Sequence, residues 1–447
     1  MKKSLIILFI LFLFTACQEI NENQPVLSNT KKKQPVIVVN KNRHFNIAEF
    51  WIDQIPNPDA IIMDEKQIKK FNDNVTYKQK RLTYFSDVSS QYGGSWVKSS
   101  IENMIKGITV QTKYFADGNQ ISNSFFNDIK NEIGLNNIST NKVKTRYAIT
   151  VNYTNQKIVP TDLLLLKKKD QIHFDRNQNS ALDIATPIAI LHTTTDGQWH
   201  YGIAPTSSGW IKNSNIAFGD KKEINDYLES QNFIVTASAK SALNIGGHYH
   251  DYLRMGVRLP YLLTIDEMTM VLVPTRDKEG NLVVSNATIK TSDTHKGYLP
   301  YTPRNILNQA FKFINAPYGW GGMYGEQDCS KFLQEVYASI GIQLPRNSAS
   351  QSDVGDTHLK LTSLNSKAKA QMLHSMAPVG STIIHLKGHI VLYLGEYKGE
   401  PYIIHTVWGE SNRHFALGRT AVTSLEFNNY INKIDRATII TTKESKK

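Results

Sequence analysis

The spacing of apolar positions changes several times along the chain, and each change predicts a different kind of element. An unbroken apolar run, Leu5 to Phe14, follows Met1-Lys2-Lys3 and ends in Phe14-Thr15-Ala16-Cys17. It is shorter than the roughly 20 apolar residues of a spanning helix, and its basic start and small-residue end predict a cleaved export signal over 1–16. Residues 17–43 are rich in Gln, Asn and Lys and read as a tether. Over 44–150 the apolar spacing is helical, predicting helices at Phe45 to Ile55 before Pro56 and Pro58, Glu65 to Phe71, Ser100 to Ile108, and Phe125 to Ile133 before Gly134.

From 151 the texture becomes short β-rich runs broken by turns. Pro187 to Thr193 and Gln198 to Ile203 flank Asp196-Gly197, a hairpin signal, and Gly209-Trp210-Ile211 follows. A related texture recurs at 226–300, closing on Gly297-Tyr298-Leu299. Two small SH3-like barrels, 151–225 and 226–300, fit this pattern, and a single larger β domain is the alternative. In 301–442 helix and strand signals alternate. Cys329, Phe332, Leu333, Val336, Tyr337 and Ile340 share a helical face that Gly341 ends, and Ile383 to Leu386, Ile390 to Leu394 and Tyr402 to Val407 read as strands. The fold class expected is therefore multidomain α+β.

Composition narrows the function. Lys plus Arg exceed Asp plus Glu by 12 in 447 residues, which favours anionic partners, and export excludes nucleic acid as a routine ligand. Cell-wall polymer and membrane surface remain. The chain has 2 cysteines. Cys17, directly after Thr-Ala at the end of the apolar run, resembles the bacterial lipobox cysteine that carries a lipid, so Cys329 is expected to be a free thiol in an oxidising compartment and a candidate nucleophile.

A cysteine attacks as thiolate, and a helix N-terminus or a nearby imidazolium lowers its pKa. Asp328 is a preferred N-cap, which predicts Cys329 as the first helical residue, its pKa depressed and the helix-start N–H groups free to hold an oxyanion. The general base should be a histidine on a rigid element. His389, Val391 and Tyr393 share one strand face. A hairpin pairing Gly395 with Pro401 would bring His405 opposite Val391, diagonal to His389, so that one imidazole can orient the other. His385 has the same parity, and His358, His374, His385, His389 and His405 contain no short metal-binding signature. The chemistry calls for no metal or cofactor.

These residues resemble a family. Tyr318-Gly319-Trp320-Gly321-Gly322, Asp328-Cys329-Ser330-Lys331-Phe332, Leu344-Pro345-Arg346-Asn347-Ser348, Gly388-His389-Ile390 and Ile404-His405 are similar, in order and spacing, to the motifs of the NlpC-type cell-wall cysteine peptidases. The helical segment and paired barrels upstream resemble those accompanying this domain in γ-D-glutamyl-L-diamino acid endopeptidases. The resemblance implies a papain-like domain over 301–442, with peptidoglycan peptides as substrates. It also implies Cys329 as nucleophile, His389 as base and His405 as its orienting partner. Tyr318, Asp328, Ser330 and Ser348 would line the pocket, Asp328 meeting the free amine of an N-terminal L-alanine, and the first barrel would help to enclose the site; Tyr201 and Trp210 are candidates for that but read more readily as core aromatics. Two positions depart from the pattern: Lys331 stands where glycine is usual, and Val379-Gly380-Ser381 replaces Pro-Gly-Asp. A wall-binding protein without activity, or an amidase on the same scaffold, are the alternative functions.

Overall fold

The computed structural model describes residues 43–409 and 416–442. Cys17, the export signal and the tether up to residue 42 lie outside the described residues. The first helices are α1 (Ala48–Ile52), α2 (Glu65–Asp73), α3 (Gly94–Gln111) and α4 (Asn123–Ile133). Local chemistry sets their ends: Asp64 and Gln67 form a reciprocal capping box on α2, Ser122 caps α4, and Gly134 at φ 66° terminates it.

Residues 44–150 do not share one core. Phe45, Trp51, Ile52, Phe71 and Val75 are buried with Phe332, Leu333, Val336, Ile390 and Ile404 of the C-terminal domain. Val97, Ile101, Ile105 and Ile108 of α3, with Phe126, Ile129 and Ile133 of α4, bury instead against Leu165, Trp199, Tyr201 and Trp210 of the first β unit. The strand Arg146–Thr150 is itself a member of that unit.

Each β unit is a seven-stranded, all-antiparallel sheet. The first runs, in spatial order, 178–182, 154–157, 208–212, 199–203, 187–193, 146–150, 216–218. Its hairpin across Asp196-Gly197 is present, with Gly197 at φ 73°. The second unit spans Phe233–Thr236 to Thr294–Lys296 and encloses a core of Leu243, Leu253, Leu259, Val271, Val273 and Ile289. The helix α5 (Lys221–Leu228) connects the two.

In the C-terminal domain, α6 (Pro303–Phe311) and α7 (Cys329–Ala338) pack together against a six-stranded antiparallel sheet. Phe332, Leu333, Val336 and Tyr337 make the buried face of α7. The Trp320-Gly321-Gly322 turn docks this domain on the first barrel: Gln178 Nε2 donates to the Gly321 carbonyl (3.1 Å) and the Tyr153 hydroxyl to that of Gly322 (2.6 Å). Here glycine is required. Both residues have positive φ (63° and 88°), and a Cβ on Gly322 would lie 2.7 Å from the Ala181 Cβ.

Candidate active site

Cys329 is the first residue of α7, and Asp328 is its N-cap. The Asp328 carboxylate accepts from the N–H groups of Ser330 (3.1 Å) and Lys331 (2.8 Å), which commits two of the free donors at the helix start. The backbone N–H of Ile390, one residue beyond His389, lies near enough to the sulfur to favour its thiolate form. The nucleophile helix and the histidine strand thus meet at Cys329.

His389 begins the strand His389–Tyr397, and His405 lies on the neighbouring strand Glu400–Gly409. His389 Nε2 is 2.8 Å from His405 Nδ1, and His405 Nε2 is 3.1 Å from the Thr423 hydroxyl. The hairpin turn differs from the expected pairing. Gly395 pairs with Tyr402, not Pro401, because a bulge between Tyr393 and Gly395 inserts one residue, after which Leu392 faces Ile404. The bulge restores the register that aligns the two imidazoles. His385 is on the preceding strand and pairs its Nδ1 with Asp435 (2.8 Å). Tyr430 packs on both histidines at 5.6 and 5.8 Å, and Phe427 on His405 at 6.0 Å, sheltering the pair from water.

Burial dominates the electrostatics. It pushes the Cys329 thiol up to about 12, and the Asp328 charge adds to this; the Ile390 N–H, Arg346 and the Ser330 N–H oppose it without prevailing. Desolvation thus opposes the depression that the helix N-terminus favours. Burial also lowers His389 to about 4, against a raising influence from Asp328, and carries His405 well below the ordinary imidazole value. Burial thus favours the neutral thiol and the neutral imidazole.

Asp328 is the centre of a second network. Burial disfavours its charge, but Arg346 grips both oxygens (3.2 and 2.7 Å) and, with the Lys331 N–H and the Ser330 hydroxyl, holds the carboxyl below its ordinary range. Arg346 also donates to the Ser330 Oγ (2.8 Å) and to Ser180 Oγ of the first barrel (3.1 Å). Asp328 and Ser330 thus face a buried guanidinium. Contact between Asp328 and a substrate amine would require breaking that pair. Ser348 starts the short helix Ser348–Ser352, capped by Asn347, two residues after Arg346. The Tyr318 ring lies 5.9 Å from that of Trp408, and its hydroxyl is raised well above the ordinary value by burial and then by the charges of Asp328 and Cys329. Lys331 turns away from the thiol: its Nζ bonds Asp183 of the first barrel (2.9 Å) and lies 3.6 Å from Glu335.

Tyr201 and Trp210 do not enclose the site. They are core side chains, 2% and 0% exposed. The barrel instead brings the loop bearing His173 and Phe174 against the site, His173 at 4.8 Å and Phe174 at 5.2 Å from Trp408, with Phe174 also 5.3 Å from Trp320 and Arg176 over the Trp320 ring at 4.7 Å. Thr423, Tyr430, Ser180 and this loop carry no local motif and are found only through their long-range contacts. Among the described residues no group of three or more His, Cys, Asp or Glu is arranged to hold a metal.

Fold and site together define the class, a multidomain protein whose C-terminal domain resembles the NlpC/P60 family. The NlpC/P60 family model matches residues 315–414, and an SH3 domain of the SH3b1 type matches residues 165–212. Among curated proteins, the γ-D-glutamyl-L-lysine dipeptidyl-peptidase of Bacillus subtilis (strain 168) is 30% identical over 95 residues, covering 21% of this chain. The match spans only 30% of that protein's length. Among solved structures, an NlpC/P60 endopeptidase from Photobacterium damselae subsp. piscicida superposes with a TM-score of 0.73 at 20% identity, covering 88% of this chain and 97% of its own, a likeness of fold. An NlpC/P60 family protein from Bacillus cereus ATCC 10987 has a TM-score of 0.45 at 18% identity, covering 59% and 82% respectively.

Proposed function

We propose that this protein is a thiol endopeptidase that cuts the γ-D-glutamyl–diamino acid bond of peptidoglycan stem peptides, with Cys329 as nucleophile, His389 as general base and His405 as the residue that orients it. The observation that carries the reading is the hydrogen-bonded series His389, His405, Thr423, on strands that meet the start of the Cys329 helix. His389 spends Nε2 on His405, leaving Nδ1 for the thiol proton. In that tautomer His389 donates to His405 Nδ1, and His405 donates from Nε2 to the Thr423 oxygen.

Both reacting groups rest neutral, so attack and proton transfer are coupled. His389 Nδ1 takes the thiol proton as Sγ adds to the side-chain carbonyl carbon of D-glutamate. The imidazolium, steadied by His405, then protonates the departing amine. Water, activated by the same nitrogen, releases the acyl group. With the Ser330 and Lys331 amides held by Asp328, the Cys329 N–H and the Tyr318 hydroxyl are the donors assigned to the oxyanion.

Asp328 acts here by setting the position and charge around the nucleophile, through Arg346. Tyr318 and Ser348 line the pocket, and the His173–Phe174 loop limits the substrate's length on the barrel side. The reading also places the protein in the cell envelope, anchored through lipid on Cys17. Residues 18–447 should release the diamino acid's amine from a stem peptide, and Cys329→Ala and His389→Ala should each abolish release. Liberation of L-alanine from muramic acid would instead indicate an amidase, and full turnover by Cys329→Ala would remove the proposed nucleophile.

A further inference from the structure

The first barrel and its helical extension build a cationic surface unrelated to the thiol chemistry. Two segments distant in sequence are zipped together there: the Lys113 and Tyr114 amides both donate to the Leu166 carbonyl (2.8 and 3.1 Å), and the Leu166 amide donates back to Tyr114 (2.8 Å). Lys113 is thereby set beside Lys167, Lys168 and Lys169, and the four lysines with Tyr114 line a shallow recess of about 350 Å³. All four are exposed, and among the described residues none has an ion-pair partner. The neighbouring Asp117 and Asp170 form no ion pair with them among the described residues. Asp117 is bonded to Asn119, and Asp170 is exposed to solvent. Lys169 alone is braced, 5.3 Å above the Tyr114 ring. The same two segments hold large apolar side chains in water: Val110 (78% exposed), Leu163 (52%) and Ile172 (45%).

We propose that this surface, Lys113 and Lys167–Lys169 with Val110, Leu163 and Ile172, docks on an anionic phospholipid bilayer. Unpaired lysines suit headgroup phosphates, and exposed aliphatic side chains beside them suit the boundary with the acyl chains, a combination that a soluble polyanion would not require. The lysines precede His173 and Phe174 in the same loop, so docking would hold the candidate site's rim near the membrane surface.

The test uses residues 44–447, which form one compact unit without the export signal and the tether lysines Lys31, Lys32 and Lys33. Sedimentation with phosphatidylglycerol vesicles and with phosphatidylcholine vesicles is measured at low and high salt. Binding is expected to phosphatidylglycerol only, to fall as salt rises, and to weaken by at least about a hundredfold in K113Q/K167Q/K168Q/K169Q. V110S/L163S/I172S should weaken it while keeping the salt dependence. Circular dichroism of both variants guards against loss of fold. Absence of binding to phosphatidylglycerol, equal binding by the lysine variant, or capture by soluble polyglutamate with none by vesicles would each overturn the proposal.

Discussion

Replacing Arg346 by Met tests the electrostatic frame around the nucleophile. The side chains of Arg346 and Asp328 are only 10% and 12% exposed, so solvent does little to screen the carboxylate once the guanidinium is gone. Breaking a buried pair from one side typically costs about 3–5 kcal/mol. Asp328 would keep four donors, the N–H groups of Gly321, Ser330 and Lys331 and the Ser330 hydroxyl. That places the expected loss at the lower end, about 3 kcal/mol. Urea unfolding followed by tryptophan fluorescence reads it, because Trp320 and Trp408 report on the C-terminal domain. The paired variant D328N/R346M should recover at least about 1 kcal/mol, since it removes the stranded charge. In the parent Arg346 holds the Asp328 carboxyl below its ordinary value of 3.8, so the parent's advantage is full above that pH and the variant's deficit shrinks as acidification protonates the group. A loss under about 1 kcal/mol with no recovery in the pair would refute this account of Arg346.

Other outcomes follow from the same geometry. Because His389 must be neutral to act as base and burial lowers it to about 4, kcat/KM should stay level through pH 6.5 and fall only near pH 4, with no alkaline loss from a thiol that ionises at about 12; an acid limb at or above 6.5 would show that burial does not lower His389, and a loss on the alkaline side would show a resting ion pair. Thr423→Val should lower kcat by about tenfold with KM nearly unchanged, since it removes one orienting hydrogen bond from His405, and an unchanged kcat would remove Thr423 from the relay. Gly322→Val, forced to φ 88° against Ala181 and Tyr153, should cost about 1–3 kcal/mol in stability and raise KM as the barrel is pushed off the site. Turnover should persist unchanged after exhaustive treatment with a chelator, and its loss with recovery on adding zinc would contradict the thiol mechanism.

What the sequence made legible divides by range of interaction. Asp328 as N-cap with Cys329 as first helical residue, the Asp196-Gly197 hairpin and the facing positions of His389 and His405 all rest on periods of 3.6 or 2 and on turn chemistry, which neighbouring residues determine. The features that long-range packing decides were not visible there. Nothing local in α1 or α3 says that one completes the C-terminal domain's core and the other the first barrel's. The Asp328 carboxylate reads as free until Arg346, 18 residues on, is seen to clamp it. Lys331 looks like an intrusion on the pocket until it is seen to reach Asp183. The thiol's raised pKa has the same origin, since a helix N-terminus is a local device and desolvation is set by the whole fold.

Mass spectrometry of the products from L-Ala-γ-D-Glu-diaminopimelate, free and linked to muramic acid, tests the central claim most directly when residues 18–447 are compared with Cys329→Ala. The account predicts release of L-Ala-D-Glu from the free peptide by the parent and none by the variant, with the linked peptide cut poorly because the His173–Phe174 loop obstructs it. Intact peptides of both kinds after prolonged incubation with the folded parent protein would contradict it.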